Sequence, residues 1–193
     1  MPTALVTLLR NLAGRLPDDD LAALRNSLAA RELEDLERSL LFDLADNAIG
    51  LTSDERALLT AAGLHADSPI IADLPPATVP EITFRPESTQ DSTDQPLVAA
   101  AKTLAALREV RKSRRVVAGN PDEAGTPDKT VYVVKLAEDA DVATAQGALQ
   151  WGLGPALVEV IADGENLPPY QRDAWEAGTV VFARADPNDA AGG

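Results

Sequence analysis

The sequence predicts an α+β protein built in three parts, and three observations support this prediction. Leucines recur at helical spacing over residues 1–64, which predicts a small helical bundle. Prolines are concentrated over residues 65–96, which predicts an extended segment and a linker. Over residues 97–185, helical patterns alternate with apolar runs, which predicts a small three-stranded β-α-β-α-β sheet that is mainly parallel, preceded by a long helix.

The N-terminal part contains several short helices with shifted leucine faces. The leucine stripe of residues 21–28 is out of phase with the stripe of residues 33–44, so we expect a break near residues 29–31. Three consecutive aspartates, 18–20, precede the stripe of residues 21–28, and we interpret them as helix-capping residues. The sequence Thr52-Ser53-Asp54-Glu55 is a capping box that starts another helix, and Gly63 is its expected stop.

The proline-rich middle carries enough apolar residues to pack against something. We therefore expect residues 69–85 to lie in extended form on a domain surface, and residues 86–96 to form a flexible link. We expect a long helix from Leu97 that ends either near Val110 or near Arg115. The three strands are predicted at 130–136, 156–162 and 179–183, with helices at 142–153 and 168–177 between them. Residues 186–193 are expected to be a flexible tail.

The composition excludes several classes of function. The chain has no cysteine, which excludes disulfides, thiolate nucleophiles and cysteine metal sites. Its formal charge is −14, and nucleic-acid binding is disfavoured because it requires an excess of cations. No run approaches ~20 apolar residues, so we expect no membrane span, and the first residues lack the charge order of a secretory signal. The expected location is the cytoplasm, and the bias towards Ala and Arg is typical of GC-rich bacterial genomes.

Catalytic motifs are missing, so we predict no catalytic residue, cofactor or metal ligand. The one histidine, His65, follows the last N-terminal helix, and we interpret it as a surface residue. The sequence has neither a nucleophile elbow nor a phosphate-binding loop. The strongest alternative is a group of carboxylates near the end of the second predicted strand, formed by Glu159, Asp163, Glu165 and Asp173.

Two stretches are candidates for binding a protein partner. The first runs from Lys102 to Arg115 and holds six of the 17 basic residues with only one acid, Glu109. Helical spacing would place its cations on one face, and the predicted contact residues are Arg108, Arg111, Lys112 and Arg115. The second stretch contributes Tyr170, Arg172 and Trp175, because these residue types dominate binding hot spots.

Three hypotheses about function follow from these observations. The first is a non-enzymatic interaction or regulatory protein, such as an adaptor or an acidic antitoxin or immunity protein that covers a basic surface. The second is a small-ligand sensor or enzyme with its site at the carboxyl ends of the C-terminal strands. The third is an assembly subunit that forms homo-oligomers through its N-terminal helices.

Overall fold

The computed structural model describes residues 2–88, 92, 94–117, 128–150 and 157–184. Within these ranges the chain forms an α+β fold with eight helices and five strands. None of the helices found there is long and apolar enough to cross a membrane. The helices are α1 (Pro2–Asn11), α2 (Asp18–Ala30), α3 (Leu33–Asp46), α4 (Ser53–Ala62), α5 (Pro69–Ala72), α6 (Asp94–Lys102), α7 (Val142–Gln150) and α8 (Pro169–Ala177). The strands are β1 (Ile82–Pro86), β2 (Leu107–Val117), β3 (Lys129–Leu136), β4 (Leu157–Ala162) and β5 (Thr179–Ala183).

The first four helices form the predicted bundle, and their leucines fill its core. The expected break lies between α2 and α3, where Arg31 adopts a left-handed conformation with φ of 62°. The capping box is present, because the Thr52 hydroxyl accepts from the Glu55 amide and the Glu55 carboxylate accepts from the Thr52 amide. Gly63 ends α4 in the left-handed conformation, as expected.

The proline-rich middle differs from its prediction. Residues 69–72 form the short helix α5, and residues 82–86 form β1, which pairs with β2 instead of lying on a domain surface. The helix expected from Leu97 begins three residues earlier, at Asp94. The predicted flexible link includes positions outside the described residues, and the predicted tail at 186–193 lies wholly outside them.

The prediction of a three-stranded, mainly parallel sheet is wrong in detail. Within the described residues the sheet has five strands. Four of them are neighbours in the order β1-β2-β3-β4, and β5 pairs with the same edge of β2 as β1 does. Only β3 and β4 are parallel, while all pairs that involve β2 are antiparallel. The predicted β-α-β unit of residues 130–162 is present as β3, α7 and β4.

The error comes from residues 107–117, which form a strand and not the second half of a long helix. The helix α6 ends at Lys102, and a turn over residues 103–106 leads into β2. The spacing of cations in β2 fits a helical face and a strand equally well. The strand forms because β2 hydrogen-bonds to β1, β3 and β5. None of these strands belongs to the local pattern of residues 107–117, so that pattern does not predict the pairing.

Helices cover both faces of the sheet. On one face, α6 and α7 pack against Val110, Tyr132 and Val134, and on the other α8 packs against Val131 and Val133. The bundle lies beside the edge strand β4, where α2 contacts α7. The two predicted structural parts are therefore in direct contact.

Candidate functional site

The predicted basic stripe does not form one surface. Neighbouring residues of a strand point to opposite sides of the sheet, so the cations of β2 are divided between its faces. Lys112 lies on the face of α6 and α7, opposite Tyr132, while Arg111 and Arg115 lie on the face of α8. Arg108 is exposed at the start of the strand. The prediction that these four cations share a face is wrong.

Lys112 is held inside the protein. Its side chain is 2% exposed, and its Nζ lies 2.9 Å from Asp94 Oδ1. The Tyr132 hydroxyl donates to the same carboxylate oxygen over 2.5 Å. A buried cation needs such partners because desolvation disfavours an isolated charge. Lys112 therefore stabilises the contact between α6 and the sheet and offers no surface to a partner.

Arg115 joins the sheet to the bundle. Its two terminal nitrogens each lie 2.8 Å from a carboxylate oxygen of Asp18, and Lys129 Nζ lies 2.7 Å from the same carboxylate. Burial alone would raise the pKa of Asp18, but the hydrogen bonds from Arg115 and Lys129 lower it below its ordinary value. Asp18 is thus in the first turn of α2, as expected, but its side chain binds the sheet and makes no capping bond.

The predicted carboxylate group is divided among separate cations. Arg25 Nη2 binds Glu159 over 2.7 Å, and Arg10 binds Glu165 over 2.5 Å. Glu159 also accepts from Gln171, while Asp163 lies 3.7 Å from Lys135. Within the described part of the chain, no group of three acids or histidines is arranged to hold a metal ion. The space beside the end of β4 is filled by the bundle.

The predicted hot-spot residues also have partners within the chain. The Tyr170 ring packs edge-on against Phe84, with 5.0 Å between the ring centres. Arg111 and Lys135 each place their charge 4.2 Å from the centre of the Trp175 ring. Burial raises the pKa of Tyr170, although the Arg115 guanidinium opposes this rise. Arg172 is exposed and bonds to its neighbour Asp173.

A different set of cations has no ion pair within the part of the chain that the structure describes. Twelve of the 17 lysines and arginines form an ion pair with a carboxylate of the described residues. Of the other five, Arg31 and Arg56 lie in the bundle. The remaining three lie together on the sheet part and are all exposed: Lys102, Arg108 and Arg184. We call these three residues the basic corner.

The basic corner is held together by the ends of α6, β2 and β5. The Arg184 amide donates to the Arg108 carbonyl over 2.8 Å, which places these two residues side by side. The Arg184 side chain donates to the carbonyl of Ala105, in the turn after α6. Lys102 Nζ lies 4.7 Å from the centre of the Phe182 ring in β5. Three cations from separate parts of the chain thus meet beside the end of β5.

The two edges of the sheet differ in their exposure. At β4, side chains bond to the backbone groups on the outer side of the strand. Gln146 bonds to Val158 and Val160, and further backbone groups of β4 bond to the side chains of Arg10, Arg25 and Glu165. At β5, within the described residues, one side pairs with β2 and no strand pairs with the other. Val180 in β5 is 47% exposed. Among the described residues, the edge beside the basic corner is thus left without a pairing strand.

The sequence indicated two members of the basic corner and missed the third. Lys102 and Arg108 belong to the basic stretch that the sequence analysis selected. Arg184 stands alone in the sequence, and only the pairing of β5 with β2 brings it to the others. His65 is exposed, as interpreted, and its ring bonds to Glu37 over 2.9 Å, which raises the pKa of the imidazole.

Comparisons with known proteins give no relative to this chain. No protein-family model matches the sequence, no curated protein is significantly similar to it, and no solved structure matches its fold significantly.

Proposed function

We propose that this chain is a non-enzymatic interaction protein of a bacterial cytoplasm, of the adaptor type, that binds an acidic extended segment of a partner protein. The segment adds to the sheet along β5, and its carboxylates contact the basic corner. The observation that carries this proposal is the meeting of three exposed cations that have no ion pair with any described residue, in a protein of charge −14.

Charge supports an acidic partner at this position. Elsewhere in the described chain, cations are mostly neutralised by carboxylates of the protein itself, so they have little attraction left for a ligand. Lys102, Arg108 and Arg184 have no such carboxylate among the described residues. Complementary charge accelerates encounter and selects the partner, and its effect is strongest at low ionic strength.

The open strand edge supports an extended partner. Backbone groups on the free side of β5 can pair with another strand, which supplies affinity, while neighbouring side chains supply specificity. The sequence of β5, TVVFA, carries no charge and is rich in residues that favour strands. The outer edge of β1 is less suitable because its last residue is Pro86, which has no amide hydrogen.

A peptide of alternating valine and glutamate, blocked at both ends and labelled with a fluorophore, tests this proposal. We expect anisotropy to show binding to the intact chain, and Lys102→Glu with Arg108→Glu to weaken it by at least about tenfold. A control variant with Arg31→Glu and Arg38→Glu changes the net charge equally, at residues of the bundle. Equal affinity of the two variants would refute the proposed surface.

The same peptide tests the strand edge. Val180→Glu places a negative charge next to the acidic peptide, while Val180→Lys makes a similar change in size with the opposite charge. We expect the glutamate variant to bind more weakly than the lysine variant, because both lose the exposed valine and only one repels the peptide. Indistinguishable affinities would exclude β5 from the contact.

Reversal of all four predicted cations would not be a usable test. Lys112 and Arg115 are each 2% exposed and bonded to carboxylates, so glutamates in their place would be buried beside Asp94 and Asp18. Such a variant would lose binding because it unfolds. The exposed Lys102 and Arg108 are the residues to change.

The other two hypotheses find less support in the geometry. The leucines that suggested oligomerisation through the N-terminal helices are buried within the bundle itself. An assembly interface there would depend on Phe42 of α3, which is 65% exposed. The predicted ligand site at the carboxyl end of β4 is occupied by ion pairs between the bundle and the sheet.

A further inference from the structure

A cavity of about 310 Å³ lies between α1, α4, β1 and α8. Its volume is in the range of pockets that bind small molecules. Gly14 shapes one wall: its φ is +77°, and a Cβ there would lie 2.2 Å from Ile82 Cδ1. The absence of a side chain at Gly14 lets the end of the first helix approach β1 and α8. The cavity does not include any residue of the basic corner.

The cavity wall is mainly apolar and partly aromatic. Ile82 and Val79 contribute aliphatic surface, and Pro168 lies at the start of α8. Phe84 and Tyr170 meet at an interplanar angle of 88°, so the pair presents both a ring edge and a ring face. Such a surface favours a ligand with an aromatic or branched apolar body, and ring faces also attract cations.

The two arginines that line the cavity have their own carboxylates. Arg10 binds Glu165 and the carbonyl of Val160, while Arg15 binds Glu55 and the carbonyl of Gly50. Both side chains are no more than 5% exposed. Their positive charge is therefore compensated, and their terminal nitrogens are already used as donors. An anionic ligand would find few free donors on them.

Two carboxylates that line the cavity are better able to bind a ligand than the arginines are. Asp54 is exposed in the first turn of α4 and forms no ion pair with the described residues. Asp173 of α8 lines the same cavity, and its one ion pair among the described residues is with the adjacent Arg172, an exposed pair that water weakens. These two carboxylates, one from the bundle and one from α8, give the cavity an excess of negative charge over its compensated arginines.

We propose that this cavity binds a small organic cation, with an aromatic or branched apolar body against Phe84 and Tyr170 and an ammonium group towards Asp54 and Asp173. The proposal is independent of the peptide contact at β5. It assigns the chain a second class of ligand. Because the cavity lies between the bundle and α8, binding of this ligand would affect how these two elements pack together.

Three compounds with the same phenyl body test the charge preference: phenethylamine, phenethyl alcohol and phenylacetate. The chain contains five isoleucines, so a protein labelled at the isoleucine δ1 methyl groups gives five resolvable NMR signals. Ile82→Val assigns the signal from the cavity. We expect phenethylamine to shift the Ile82 signal at millimolar concentration and to leave Ile70 of α5 unchanged. We expect the alcohol to bind more weakly and the acid not to bind.

Two double variants test whether Asp54 and Asp173 are the carboxylates that attract the cation. Asp54→Asn combined with Asp173→Asn should weaken phenethylamine about tenfold and leave phenethyl alcohol unchanged, because only the cation loses an attraction. Asp35→Asn combined with Asp163→Asn removes the same charge away from the cavity and should have no effect. Equal binding of amine and acid, or no shift of Ile82 with any of the three compounds, would overturn the proposal.

Discussion

Arg115 and Asp18 are separated by 97 residues in the sequence, yet their side chains form a two-bond ion pair inside the protein. The local sequence pattern predicts a local role for each of them: Asp18 as a helix cap and Arg115 as part of a basic face. Both residues instead connect the bundle to the sheet, together with Lys129. A charged residue that matches a local pattern can thus be committed to a distant partner.

Loss of the Asp18 charge should destabilise the fold. Asp18→Asn leaves Arg115 buried without its anion, and breaking one partner of a buried pair lowers the free energy of unfolding by about 3–5 kcal/mol. Asp19→Asn, at an exposed position in the same turn, should change it by less than ~0.5 kcal/mol. Urea denaturation followed by circular dichroism measures both variants. Similar stabilities for the two would contradict this role of Asp18.

The same ion pair makes the stability of the fold depend on pH. The folded pKa of Asp18 is lower than its unfolded value of 3.8, so its contribution is complete above that value and disappears as the pH falls through the folded pKa. We therefore expect the free energy of unfolding to fall less steeply below about pH 4 in Asp18→Asn than in the unchanged protein. Parallel pH profiles would contradict this expectation.

At the scale of elements, the edge strand β4 is protected by side chains instead of a further strand. Gln146 of α7 is the central contact, because its Nε2 donates to the Val158 carbonyl and its Oε1 accepts from the Val160 amide. Both bonds are buried, and the Val160 amide has no other acceptor on this side among the described residues. Gln146 thereby does for β4 what a neighbouring strand would do.

The variant Gln146→Leu tests whether this side chain takes the place of a neighbouring strand at the edge of β4. The leucine keeps the volume but leaves the Val160 amide unpaired, so we expect the free energy of unfolding to fall by about 1–3 kcal/mol. Hydrogen exchange at the Val160 amide should accelerate relative to its neighbours. Ala148→Leu, on the exposed face of α7, is the control and should leave that exchange rate unchanged. An unaffected Val160 amide in Gln146→Leu would contradict the assignment.

At the scale of the whole molecule, ion pairs connect the bundle and the sheet. Arg10, Arg25 and Asp18 come from the bundle, and Glu165, Glu159 and Arg115 come from the sheet part. These pairs are mostly buried, so each part would expose unpaired charges or polar groups if it separated from the other. The two parts should therefore unfold together.

Cooperative unfolding is the measurable consequence. We expect circular dichroism, dominated by the helices, and tryptophan fluorescence, from Trp151 and Trp175, to give coincident urea transitions. Glu159→Ala leaves Arg25 buried without its anion and should lower the free energy of unfolding by about 3–5 kcal/mol. Asp163→Ala, at an exposed carboxylate, should have little effect. Separate transitions in the unchanged protein would show that the two parts are independent.

The sequence alone determined the features that depend on neighbouring residues. The leucine stripes, the break near Arg31, the capping box at Thr52 and the stop at Gly63 all agree with the structure, because helices form from contacts within four residues. The parallel pair of β3 and β4 was also predictable, since a helix connects them.

Only the tertiary structure decided the identity of β2 and, with it, the candidate site. Residues 107–117 suit a helical face as well as a strand, and the choice depends on hydrogen bonds to β1, β3 and β5, which no local pattern encodes. Once this segment is a strand, Lys112 and Arg115 point to opposite, buried faces and Arg108 meets Arg184. The pairing of strands therefore decides which cations form an ion pair with a described residue and which do not.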